Sequence, residues 1–395
     1  MKHRWIAIVL ILALGLSACA QKADVPASSA QHIPAALKTT LTPDSLAQYD
    51  FTGQAMAYLA YLAEHFPNRC ASDDASGHDA FGQWLLSELA GCGYDQVQTQ
   101  DFEEKSMYDE TVHGRNYILT VPGRSAGKQI IVGAHYDGDG AGDNASGVAL
   151  ALATAAGLAN AKPYYTIKFV FFDGEEDGLL GSKYYAGHMS ADEIANTIYM
   201  INLDALVFGD YCNIYGGVYG DDYDAGYIAL SEGEAVPEPT LTEGYDFAAD
   251  TAEALGFRVH RTAELDGYFE KNGRGMTPED AFFTNPWTNA HPAPQNMFAA
   301  SPATIGASDQ AGFAVKGIPY IYFEATNWWA AGAEPSLAYT GYIETEDASL
   351  GDGGMFMNTE YDTLETLNEL FPGRAEQHYH LFSPLLSALL LVKAE

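Results

Sequence analysis

The chain has 395 residues, of which 47% are hydrophobic and 12% aromatic, enough to fill one large core. Its 53 acidic residues outnumber 19 basic ones and leave a formal net charge of −34. That balance excludes nucleic acid as a partner, since little on the surface could neutralise phosphates; it suits cationic peptides, and a solvated acidic surface is the simpler account.

Met1-Lys-His-Arg4 is a basic start, and Trp5 to Leu16 is apolar but too short for a comfortable membrane span. The run ends in Leu16-Ser17-Ala18-Cys19, which resembles a bacterial lipobox. The resemblance implies a signal peptide over residues 1–18 and a lipid on the Cys19 thiol. The protein is then exported and anchored to a bacterial membrane, facing the periplasm or the cell exterior. Residues 19–45 are rich in Ala, Ser, Pro, Thr and Gln without periodicity and read as a flexible tether. The remaining stretch, 46–395, shows no repeat and no linker, and reads as a single domain. In an oxidising compartment Cys70 and Cys92 are the natural disulfide pair, leaving Cys212 unpaired.

Helical spacing marks Phe51 to Phe66 and His78 to Leu89, with the loop Asn68-Arg69-Cys70-Ala71-Ser72 between them. Asn116 to Val121 reads as a strand. Gln129-Ile-Ile-Val-Gly-Ala134 is a β-branched apolar run that predicts a buried strand. It runs into His135-Tyr136-Asp137, then a glycine-rich loop, Asp143-Asn144-Ala145-Ser146-Gly147, and a helix over Val148 to Leu158. Thr166 to Phe172 predicts a second core strand, ending at Asp173-Gly174-Glu175-Glu176 and followed by a helix from Leu179 to His188. Thr197 to Leu203 predicts a third, ending at Asp204, and Ile318 to Phe323 a fourth, ending at Glu324. Loop-like insertions lie near 211–245 and 265–305, and Arg374 to Val392 predicts a last helix. Strands alternating with helices predict an α/β three-layer sandwich, its mostly parallel mixed sheet covered by helices on both faces.

In open α/β sheets ligands bind beyond the carboxyl ends of the strands. Here three strand ends and the loop after the first bring His135, Asp143, Glu175, Glu176 and Asp204 to that edge. A lone His at a strand end is usually a rim residue, and an Asp before a helix is usually a cap. Recurrence at successive strand ends outweighs that reading. One imidazole nitrogen with several carboxylate oxygens is a donor set for zinc.

These motifs are His135-x-Asp137, Gly142-Asp143-Asn144-x-x-Gly147, Asp173-Gly174-Glu175-Glu176, Asn202-Leu203-Asp204 and the later Ser308-Asp309 with Gly317-Ile318-Pro319. They resemble the bacterial leucyl aminopeptidase and aminopeptidase Y family of co-catalytic zinc exopeptidases. Asn202-Leu203-Asp204 with Gly209-Asp210, Glu324 to Trp328 and Pro372-Gly373-Arg374 resemble its alkaline-phosphatase isozyme conversion type. The resemblance implies peptide substrates with a free N-terminus and two zinc ions. By it His135 and Asp204 hold the first, Asp143 bridges, Glu176 holds the second, Glu175 is the general base, and Asp137 fixes the tautomer of His135. One position departs from the pattern. Asn358 in Met357-Asn358-Thr359-Glu360-Tyr361-Asp362 stands where the family has a His, leaving a weak or harder second site, or one completed by His291, with His378 and His380 less favoured. Gln310 likewise stands where many members have His. A glutaminyl cyclase-like acyltransferase on the same fold and a non-catalytic binding homologue are the other two readings.

Overall fold

The structure is a computed structural model that describes residues 31–71, 74–125, 127–219, 239–261, 297–300, 308–326, 344–345, 347 and 349–394. The signal peptide, Cys19, His291 and Trp328-Trp329 lie outside the described residues. No helix among the described residues is long and apolar enough to cross a membrane.

The strands are β1 (Leu37–Thr39), β2 (Val97–Lys105), β3 (Thr111–Val121), β4 (Gln129–His135), β5 (Thr166–Phe172), β6 (Thr197–Leu203) and β7 (Tyr211–Tyr215). They continue with β8 (Val218–Tyr219), β9 (Pro239–Thr240), β10 (Arg258–Arg261), β11 (Met297–Ala300), β12 (Tyr320–Thr326) and β13 (Val392–Ala394). Nine of them form one mixed sheet in the order β10-β11-β7-β12-β6-β4-β5-β3-β2. Its middle, β12-β6-β4-β5, is parallel throughout, while β7, β3 and β2 join antiparallel. The sandwich expected from the sequence is the fold observed.

Side chains alternate between the two faces with the two-residue period of a strand. Ile130, Val132 and Ala134 of β4, with Phe169 and Phe171 of β5, join the larger core. On that face pack the helices Thr52–His65, Ala75–Gly91, Ala145–Gly157, Glu243–Ala254 and Arg374–Leu390. Ile131, Val170, Phe172 and Met200 point the other way, onto Tyr185 and Ala186 of the helix Leu180–His188 and onto Phe313. Burial on both sides is why these strands read as unbroken apolar runs.

Several expectations are corrected. The tether reading fails for residues 31–45, because Leu37 and Leu41 are buried and β1 pairs antiparallel with β13 near the C-terminus. The 211–245 segment is not loop throughout: β7 is an interior strand of the sheet, and Glu243–Ala254 is a helix. Within 265–305, Met297–Ala300 is a strand and the rest lies outside the described residues. Glu324 does not follow a strand end, since β12 runs on to Thr326. Its buried carboxylate instead accepts from the Tyr322 hydroxyl at 2.9 Å and the Thr326 hydroxyl at 3.0 Å. No disulfide joins Cys70 to Cys92. They flank a helix of 17 residues, roughly 25 Å long at 1.5 Å per residue, whereas a disulfide needs Cα atoms within about 7 Å.

Candidate metal centre

His135 is the last residue of β4 and lies level with Phe172, the last of β5. The chain therefore leaves both strands at the same edge of the sheet. Asp204 follows the end of the neighbouring β6 directly, its N–H donating to the Phe323 carbonyl of β12 at 3.1 Å. Three strand ends thus deliver side chains to one place.

Asp143, the remaining donor, comes from the loop between β4 and the helix Ala145–Gly157. Asn144 caps that helix by accepting the Gly147 N–H at 2.8 Å, and its own amide donates to the Leu203 carbonyl at 2.8 Å. Asn144 so fastens the loop to the end of β6, and the Asp143–Asn144 peptide bond is cis. Gly147 allows the close fit, because a Cβ there would stand 2.3 Å from the Leu203 carbonyl oxygen.

His135 Nε2 lies 3.1 Å from Asp143 Oδ1 and 3.2 Å from Asp204 Oδ1. Donor atoms of His135, Glu175 and Asp204 fall within 4.8 Å of one another, and so do those of His135, Asp143 and Glu176. The residues singled out in the sequence therefore meet at one point. Burial works against a charge on His135, but the Asp204 and Glu175 carboxylates raise its pKa well above the ordinary value. Burial, and then the surrounding carboxylates, push Glu175 and Glu176 well above theirs; His135 opposes the shift in both. So many carboxylates beside a single imidazole is an arrangement that a divalent cation relieves. The donor set fits zinc at the position that takes the His135 nitrogen.

Asp137 makes contacts other than the one the sequence suggested. It stands 3.6 Å from His135 Nδ1, beyond hydrogen-bond range. Its two oxygens accept the backbone N–H groups of Glu175 and Glu176, each at 3.1 Å. One carboxylate thereby orients the turn that carries both glutamates.

Other supports escaped the sequence reading. The Ser308 hydroxyl donates to Asp204 Oδ2 at 2.6 Å, and Asn202 donates to Ser308 Oγ at 2.9 Å and to Gln310 Oε1 at 2.8 Å. Arg69 is fully buried, and its guanidinium donates to the carbonyls of Tyr136, Phe66 and Gly140 at 2.7, 2.8 and 3.0 Å. It grips the loop that starts at His135 from behind. Asn358 does reach the centre, its amide nitrogen lying 3.3 Å from Asp143 Oδ2. His378 and His380 do not: His378 bonds to the Leu206 carbonyl at 3.0 Å and His380 to Asp50 at 2.6 Å.

The chain is similar to several known proteins. The chain is 25% identical to the alkaline phosphatase isozyme conversion protein of Escherichia coli K12 over 344 residues, 80% of this chain and 83% of that protein. Among solved structures, an Acidobacteriales glutaminyl cyclase superposes with a TM-score of 0.53 at 18% identity, covering 92% of this chain and 99% of its own. A Zn-dependent exopeptidase from Parabacteroides distasonis superposes with a TM-score of 0.52 at 17% identity, covering 87% of this chain and 98% of its own. At those identities the two structures establish the shared fold. The sequence model of peptidase family M28 matches residues 116–251, the stretch that carries His135, Asp143, Glu175, Glu176 and Asp204. Over that stretch the chain is similar to peptidase family M28.

Proposed function

We propose that the protein is a zinc-dependent aminopeptidase that removes N-terminal residues from peptides outside the cytoplasm. The observation that carries this reading is His135 Nε2 standing between the Asp143 and Asp204 carboxylates, with Glu175 in the same donor group. His135 and Asp204 would hold one zinc, Asp143 would be shared, and Glu176 would face a second cation. Zinc held there supplies Lewis acidity, polarising a carbonyl and acidifying water. Glu175 acts as general base, taking a proton from the attacking water and delivering it to the departing amine. Burial, and then neighbouring carboxylates, raise its proton affinity, which favours taking up that proton. Asp137 keeps Glu175 and Glu176 apart in their two tasks by holding both backbone N–H groups.

Export and a lipid on Cys19 rest on the N-terminal sequence alone, and the continuous sheet with the β1–β13 pairing supports a single catalytic domain that takes in residues 31–45 as well. The fold does not separate a peptidase from a glutaminyl cyclase, because a member of each superposes about equally well. Incubation with aminoacyl-nitroanilides and with N-terminal glutamine peptides, each with and without chelator, separates them. Chelator-sensitive release of nitroaniline supports the aminopeptidase. Cyclisation of glutamine without hydrolysis overturns it, and so does the absence of both reactions in zinc-loaded protein.

A further inference from the structure

The two donor groups share one nitrogen. His135 belongs to both, and its Nε2 sits 3.1 Å from Asp143 and 3.2 Å from Asp204, while Nδ1 faces Asp137. An imidazole nitrogen has one lone pair and ligates one cation. Whichever cation takes it leaves the other position without an imidazole. Ser308, itself accepting from Asn202, donates to Asp204 Oδ2 and leaves Oδ1 facing the imidazole, so Asp204 shares its position with His135.

The other position has Asp143 and Glu176, and the side chain beside them is Asn358. Its place is built. Asn358 has φ 58, a left-handed backbone that Asn adopts readily, and buried Glu344 accepts the N–H of Met357 at 2.9 Å and that of Phe356, fixing the turn just before it. The amide now turns its nitrogen to Asp143; a half turn about the last side-chain bond presents its oxygen instead. Among the described residues neither donor group contains a second imidazole, and His378 and His380 are bonded elsewhere.

We propose that the two cation positions are chemically unequal, with zinc at His135 and Asp204 and a hard, oxygen-seeking divalent cation of the manganese or magnesium class at Asp143, Glu176 and Asn358. Carboxylate and amide oxygens suit such ions, whereas imidazole suits zinc. This rests on the metallopeptidase reading above and deepens it.

The test uses the full chain, stripped with chelator, reloaded with excess zinc and freed of weakly held metal. Bound zinc is counted by elemental analysis after gel filtration, and Mn2+ binding is followed by electron paramagnetic resonance. The expected result is one retained zinc and one Mn2+ per chain, the Mn2+ displaced by excess Mg2+. A second zinc should bind more weakly than the first by on the order of 100-fold or more, since losing even a supporting partner of a ligand costs 10–100-fold. Asn358→His, which the left-handed backbone tolerates, should retain two zincs and exclude Mn2+. Asn358→Gly, equally tolerated, should keep one zinc and bind Mn2+ at least about tenfold more weakly. Two tightly held zincs in the unaltered protein would overturn the proposal, as would zinc-loaded protein that binds no Mn2+, or unchanged Mn2+ binding in Asn358→Gly. Failure to hold even the first zinc strikes instead at the metallopeptidase reading.

Discussion

The carboxylate of Asp362 accepts the backbone N–H of Asp143 at 2.9 Å. Its other oxygen accepts the N–H of Gly142 at 2.6 Å, so one side chain far along the sequence pins the loop that presents Asp143. Gly140 makes room for it, because a Cβ there would lie 2.1 Å from Asp362 Oδ2. Asp362→Ala leaves two N–H groups unmet, each worth about 1–3 kcal/mol if buried. We expect zinc affinity to fall by roughly 10–100-fold, as for other groups that orient a ligand. Competition with a fluorescent zinc chelator reads the change, and an unaltered affinity would show that the loop holds its shape without Asp362.

Glu175 and Glu176 are neighbours with different expected tasks, and isosteric amides separate them. Glu175→Gln should lower kcat by about 10²–10⁴-fold while the protein keeps its zinc, because a proton acceptor is lost. Glu176→Gln should instead reduce the total metal bound. Near-normal turnover in the first variant, with metal content verified in the same sample, removes Glu175 from the role of base.

How far the sequence disclosed the molecule depended on where a residue's influence is exerted. Thr166–Phe172 and Thr197–Leu203 were readable to the residue, since β5 and β6 are largely buried on both faces and each apolar run stops at an aspartate. β7 was hidden because Tyr211-Cys-Asn-Ile-Tyr215 carries a polar Asn inside the sheet, tolerated because Asn213 donates to the Thr326 hydroxyl at 2.9 Å. β2 was hidden for the opposite reason: it is an edge strand, and most of Val97–Lys105 faces solvent. At the centre, the donors stood out because strand ends mark their places. Asp137, Asp362 and Arg69 act on backbone N–H or carbonyl groups, which any residue supplies, so their partners leave no trace in the sequence.

Arg69 is the clearest case of such hidden support. Three carbonyls depend on its buried guanidinium. Arg69→Met keeps the apolar stem and abandons all three, so we expect a loss of at least about 3 kcal/mol in urea unfolding. Arg69→Lys should recover only part of that loss, because an ammonium on a flexible stem cannot reproduce the planar fork. Full recovery with Lys would mean that charge behind the carboxylates, rather than the bonds to the loop, is what the site requires.

His378 gives a pH dependence whose sign can be worked out. It is buried against the Leu206 carbonyl, and burial, helped by the Arg374 charge, lowers its pKa from 6.5 to about 3. The folded protein therefore refuses a proton that the unfolded chain accepts between those two values. Since the unfolded state binds more protons there, stability is highest above pH 6.5 and falls as the pH drops towards 3, by up to about 1.4 kcal/mol per pH unit from this group. Many carboxylates titrate in the same range, so the test is a difference. His378→Gln keeps an N–H donor for Leu206 but cannot take up a proton. Urea unfolding free energies measured from neutral pH down to about pH 5 should decline less steeply in that variant, with the gap widening as the pH falls. Parallel declines would mean that the imidazole accepts its proton inside the fold as readily as outside it.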